Sequence, residues 1–192
     1  MAEVTLKKKV TLRRKETAPF TFNEKMQIEM KWSSETDLDL CLFWKMKNGK
    51  IGGVFSDGYR SNKKDLGTLD EFPFIRHYGD EFKPESGGES QETIRVKSID
   101  SLAELYIVVI NYEKAVEMIP STFNQDSGRV EITTDTGDNF EVLIDSEDEG
   151  HVYLICKIDN TGSDKKVINE REVLSLGDAF DKIPGFELIC NS

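Results

Sequence analysis

Two stretches of this chain bring carboxylates close enough together to do chemistry. The first is Asp37-Leu38-Asp39, with Glu35 just ahead of it. In an extended chain, residues i and i+2 point to the same face about 6.8 Å apart. Leu38 and Leu40 would then anchor a strand while both aspartates face away from that core. Two carboxylates that close repel each other unless something positive lies between them or water solvates both. A hard cation is one solution and plain exposure is the other. The second stretch is the loop from Gly79 to Glu92, which sets the carboxylates of Asp80, Glu81, Glu85, Glu89 and Glu92 against the single Lys83. Gly79, Gly87, Gly88 and Pro84 shape its backbone. Calcium takes about six to eight oxygens from carboxylates, carbonyls and water, and tolerates irregular geometry. An acidic, glycine-rich loop offers both kinds of protein oxygen, although the same composition also makes an ordinary surface loop.

Other charged stretches read as surface. Asp145-Ser146-Glu147-Asp148-Glu149 and Asp135–Asn139 both lack the D-x-[DN]-x-[DN]-G spacing of an EF-hand, so they read as turns between strands. Signs of catalysis are missing from the sequence. His77 and His151 are its only histidines. No G-x-S-x-G elbow, G-x-x-x-x-G-K-[ST] phosphate loop, H-E-x-x-H or G-x-G-x-x-G pattern occurs. A hydrolase would have to be built from His77 and a loop carboxylate. The reading that follows is binding and not turnover, with no catalytic residues.

The elements that must hold these carboxylates are strands, because the apolar spacing is mostly two. Met26, Ile28, Met30 and Trp32 alternate with Lys25, Gln27, Glu29 and Lys31. Asp37–Met46 places Leu38, Leu40, Leu42, Trp44 and Met46 on one face. Leu105–Tyr112 is apolar on both faces, as a doubly covered central strand requires. Val4–Leu12 predicts a first strand, and further strands are predicted at Thr93–Lys97, Arg129–Thr133, Asn139–Asp145, His151–Ile158 and Phe186–Cys190. Turn residues separate them, as in Lys47-Asn48-Gly49 and Asp126-Ser127-Gly128. Asn169–Phe180 starts N-x-x-E and spaces Val173, Leu176 and Phe180 at helical intervals, which predicts one short helix. A second helix is expected after Ser98 or Asp100, and Asn160–Lys166 reads as a surface loop. The pattern predicts an all-β fold, a two-sheet β-sandwich with one or two short helices, as a single domain over residues 1–192.

Composition narrows the partners. The 192 residues carry 36 acidic against 25 basic side chains, a net charge of −11. Such a surface repels nucleic acid and anionic membrane at long range, so neither is expected as a partner. The basic residues Lys7-Lys8-Lys9 and Arg13-Arg14-Lys15 lie in a strand-like stretch, where charge solvates an exposed edge. Cys41, Cys156 and Cys190 sit in apolar runs without C-x-x-C spacing, so they read as free thiols in a reducing compartment. With no signal-peptide core and no apolar run of about 18–20 residues, the expected location is cytoplasmic.

Several of these features occur together. Asp37-Leu38-Asp39 follows a strand ending in Trp32, Tyr78-Gly79-Asp80-Glu81 follows later, and Gly87–Glu92 runs into a strand over Ile94–Val96. This combination resembles the TerD family of bacterial tellurium-resistance and stress-response proteins, over nearly the whole chain. Family members share a D-L-D element and an acidic, glycine-rich loop that begins G-D-N and ends D-D-E. The resemblance implies a cytosolic calcium-binding β-sandwich acting through a protein partner not identified by sequence. It implies metal ligands at Asp37, Asp39, Asp80, Glu81, Glu89 and Glu92, with backbone carbonyls near Gly79 and Gly88. The sequence departs from the family at Glu81, at Lys83-Pro84 and at Ser90-Gln91. Those departures leave carboxylates for one Ca2+ ion, at Asp37, Asp39, Asp80 and Glu92, and not for a second. They also leave an alternative: a metal-independent interaction or structural module whose ion site has decayed.

Overall fold

The computed structural model describes residues 7–56, 66–79 and 88–190. Period-two patterning becomes two facing sheets. One holds, in spatial order, β1 (Val10–Thr11), β11 (Asn139–Ile144), β10 (Gly128–Thr134), β3 (Met26–Trp32), β8 (Ser90–Val96), β7 (Ile75–His77) and β6 (Gly67–Thr68). The other holds β2 (Thr17–Phe20), β13 (Lys165–Leu174), β12 (Val152–Asp159), β9 (Leu102–Ile110), β4 (Asp39–Met46) and β5 (Ile51–Val54). The chain is all-β in class, a two-sheet sandwich with two short helices, as its patterning predicts.

Strands of the β3 sheet are buried on one face only. Met26, Ile28, Met30 and Trp32 point into the space between the sheets, while Gln27, Glu29 and Lys31 stay partly exposed. The β9 sheet is covered on both faces. Leu38, Leu40, Leu42, Leu105, Ile107 and Val109 meet the β3 sheet across the central core. Cys41, Phe43, Tyr106, Val108 and Ile110 point the other way, into a second apolar cluster. That cluster is closed by α2 (Leu176–Lys182) and a 3-10 turn over Phe186–Ile189, which contribute Ala179, Phe186 and Ile189. The C-terminal segment is thus a third layer, and it explains why β4 and β9 are apolar on both faces.

The structure also corrects four sequence expectations. Asn169 starts no helix: it lies inside β13, fully buried, and its side chain donates to the Leu12 carbonyl at 2.7 Å. The helix begins after Ser175, whose hydroxyl accepts the Asp178 N–H at 3.1 Å. The helical spacing of Val173, Leu176 and Phe180 therefore straddled a strand–helix boundary. Residues 186–189 form a 3-10 turn and not a strand, because Gly185 enters it at φ 90° and turns Phe186 and Ile189 inward together. The expected helix after Ser98 is a turn that leads directly into β9. Tyr112, expected to end the central strand, instead opens α1 (Tyr112–Val116), capped by the Asn111 side chain. At the N-terminus, residues 4–6 of the first expected strand lie outside the described residues, and pairing of the rest is confined to Val10 and Thr11.

Candidate functional site

The site begins where one strand outlasts its neighbour. Strands β4 and β5 pair from Lys45↔Ile51 to Leu42↔Val54, and there β5 ends. Leu40, two residues beyond Leu42, directs its N–H and C=O to the same side, where no strand among the described residues meets them. Buried backbone groups must still be satisfied. Two side chains from the opposite sheet do it. Glu92 of β8 accepts the Leu40 N–H at 2.6 Å. His77 of β7 meets the Leu40 carbonyl through Nε2 at 2.8 Å.

The imidazole proton can be assigned from its neighbours. Gly79 donates its N–H to His77 Nδ1 at 2.9 Å, so Nδ1 is an acceptor and the proton sits on Nε2, aimed at Leu40. A doubly protonated ring would set two N–H groups against each other at Gly79. His77 and Glu92 are both buried, with Nε2 and Oε2 3.8 Å apart. They stand side by side because β7 pairs with β8 through His77↔Ile94, two residues along from Glu92. Glu92, His77 and Leu40 thus stitch the two sheets together at the start of β4.

The aspartates flank this junction. Asp39, the first residue of β4, pairs with Ile110 and shares the face of Cys41 and Phe43. It faces away from the central core as its spacing predicts, yet it is only 6% exposed. Ser56 Oγ lies 3.5 Å from its Oδ1. Asp37 precedes the strand and is exposed.

The acidic loop divides. Of its described ends, Gly79 lies at the junction through its bond to His77, and Gly88 leads into β8. Asp80 and Glu81 lie outside the described residues. Glu89 turns the other way and forms a two-pronged pair with Arg129, Oε1 to Nη1 at 2.5 Å and Oε2 to Nη2 at 3.0 Å. The Arg129 guanidinium holds the Glu89 carboxyl below its ordinary pKa despite a small opposing effect of burial. Glu89 therefore belongs to the outer face of the β3 sheet and is not brought to Asp37 and Asp39. The cause is β10, which places a cation within reach of the loop's exit.

Asp39 and Glu92 thus come to one end of the sandwich, Asp39 on the outer face of β4 and Glu92 between the sheets, with Asp37 exposed just before β4. Among the described residues, no three His, Cys, Asp or Glu side chains gather as a metal-holding group. Six to eight oxygens around calcium would need donors from the rest of the loop. The sequence reading missed His77, Leu40 and Ser56 as parts of this junction. A signal was present: Ile75 and His77 alternate with Arg76 and Tyr78, which marks His77 as an inward position.

The N-terminal basic residues form ion pairs across strand edges. Lys7 reaches Asp138 at 2.7 Å, Lys9 reaches Glu131 and Glu141 at 3.0 and 3.2 Å, and Lys15 pairs with Glu170. Cys41 and Cys156 are buried, and burial pushes the Cys156 thiol far up. No helix among the described residues is long and apolar enough to cross a membrane.

No family model matches the sequence, and a comparison with curated proteins finds no match. Among solved structures, the chain is similar to the crystal structure of unknown function protein SAV2460. The identity is 11%, the TM-score is 0.47, and the likeness covers 80% of this chain and 94% of that one.

Proposed function

We propose that this chain is a cytoplasmic, TerD-like calcium-binding domain of bacterial stress response and tellurium resistance, which acts by binding a partner and not by catalysis. One observation carries the reading. The Glu92–Leu40 and His77–Leu40 bonds tie the start of β4, which Asp39 opens, to β8 and β7, the two strands that flank the acidic loop. Asp37, Asp39 and Glu92 would hold the ion together with Asp80, Glu81 and carbonyls near Gly79 and Gly88. The charge of the ion would offset repulsion among these carboxylates. Glu89, engaged by Arg129, is left out of the set, in keeping with one ion and not two. A carboxylate has about four lone-pair sites, so the bond from Leu40 does not exhaust Glu92 as a donor. Calorimetric titration of calcium into chelator-treated protein tests the proposal. Saturable heat at one site, with a melting temperature that rises with calcium, is expected because an ion that binds only the folded form stabilises it. Absence of both would overturn it.

The Glu89–Arg129 pair and the use of Glu92 to finish a backbone ladder favour a second reading. In it the junction is structural and the chain is a metal-independent interaction module. Asp39→Ala would then leave stability unchanged or raise it, and calcium would have no effect.

A further inference from the structure

Helix α1 ends in a way that its sequence does not favour. Ile119 N–H bonds back to the Lys114 carbonyl at 3.0 Å and Met118 N–H to the Ala115 carbonyl at 3.3 Å. This is the Schellman arrangement, with Met118 at the position that usually holds glycine. Met118 has φ 56°, a left-handed conformation that a long side chain adopts at some strain. It is also 85% exposed, with Val116 at 62% and Ile119 at 44% beside it. A glycine there would relax the turn and remove an apolar side chain from water.

The segment is held in place, so this exposure is a fixed feature. His151 Nε2 meets the Ile119 carbonyl at 2.7 Å, Gly150 donates to the Ser121 carbonyl at 2.9 Å, and Asn111 Nδ2 donates to Ser121 Oγ at 3.1 Å. Those bonds also bring the turn Glu147-Asp148-Glu149 alongside, between Phe123 N–H on Ser146 O and Gly150 N–H on Ser121 O. Glu113 on α1 and Glu117 at its C-cap complete an acidic rim. All five carboxylates are exposed, and none forms an ion pair among the described residues, with Lys114 the one cation on the helix. Elsewhere the acidic side chains of the β3 sheet are matched by Lys9 and Arg129.

We propose that Val116, Met118 and Ile119 form a docking surface for a basic segment of a partner protein, a large apolar side chain flanked by lysines or arginines. The apolar side chains supply the anchor, and the rim supplies complementary charge that speeds encounter and excludes acidic partners. Because the turn is already fixed, little ordering opposes binding on this side. The surface uses none of the proposed ion ligands, although Asp39 pairs with Ile110 just before α1, and binding here needs no calcium.

The probe is a fluorescent synthetic amphipathic helix of leucine and lysine, with its leucine–glutamate counterpart as control, read by anisotropy in chelator and again with calcium. The wild type should bind the lysine peptide, bind the glutamate peptide far less, and do so equally in both buffers. Met118→Gly removes no charge and should weaken binding by about tenfold or more while leaving the melting temperature unchanged or higher. Ile51→Ser, an exposed apolar position on β5, should change nothing. Glu117→Lys should weaken binding further as salt is lowered. Equal binding by wild type and Met118→Gly would overturn the proposal. So would concentration-dependent dimerisation lost in Met118→Gly, which would give this face to a second copy, or preference for phosphatidylglycerol vesicles over the lysine peptide.

Discussion

Glu89 and Glu92 stand three residues apart at the entry to one strand, yet they work in different surroundings. Glu92 points between the sheets, 3% exposed, and accepts a backbone N–H that no strand among the described residues reaches. Glu89 points outward, with a half-exposed side chain, and meets an arginine in water. Around Glu92 the neighbours are His77 and a leucine backbone; around Glu89 they are Arg129, Glu131 and Lys9 in a row of alternating charge. One carboxylate closes the sandwich and the other neutralises its surface. The acidity of this chain is therefore not one property. What a glutamate contributes is decided by which face of the strand carries it and by what the neighbouring strand leaves unpaired.

The largest expected effect is at the inner position. Glu92→Ala leaves the Leu40 N–H buried without its acceptor and should cost about 2 kcal/mol or more in denaturant unfolding. Glu92→Gln keeps an acceptor there and should lose about half as much. If Glu92→Ala proves as mild as Glu89→Ala, the contrast between the two faces fails. His77→Ala removes the donor to the Leu40 carbonyl and should cost about 1–3 kcal/mol, the range for orphaning one buried polar group. Its unfolding curve should keep the wild-type slope.

A smaller effect separates the two readings of the aspartates. With calcium as ligand, Asp39→Ala should weaken calcium binding by about tenfold, the order of one lost carboxylate contact. Its stability in chelator should stay near wild type. The smallest effect belongs to the outer pair. A double-mutant cycle on Glu89 and Arg129 should give about 0.2–1 kcal/mol, falling as salt is added, because the pair is exposed and screened. Since the folded-state pKa of Glu89 is lowered, its contribution is complete above the ordinary glutamate range. It disappears as pH falls through the lowered value, and unfolding measured against pH in wild type and Arg129→Ala should show that loss only in wild type.

Much of the sandwich was legible because period two survives in strands with a wet face. β3, β10 and β11 fall within a residue or two of where alternation puts them. The doubly apolar β9 was legible as a covered strand, but the layer that covers it was not. Phe186 and Ile189 alternate too little to show whether a strand or a 3-10 turn buries them. Asn169 failed for a related reason: a polar residue at an inward strand position imitates a helix cap unless its distant partner, the Leu12 carbonyl, is known. At the site, Asp37, Asp39 and Glu92 were legible as acids at one end of the fold. The diversion of Glu89 was not, because it depends on Arg129, 40 residues away in sequence. The role of His77 depends on where β5 stops, which no local pattern records.

The Leu40 amide joins these threads, since it reports both on the closure of the sandwich and on the loop that Glu92 and His77 anchor. Hydrogen exchange at that amide, followed by NMR in chelator and in calcium, tests the account most directly. The prediction is protection comparable to the core of β4 in chelator, and slower exchange still in calcium, with the calcium increment lost in Asp39→Ala. Exchange at Leu40 as fast as at exposed turn amides would contradict the junction, and protection indifferent to calcium would contradict the ion.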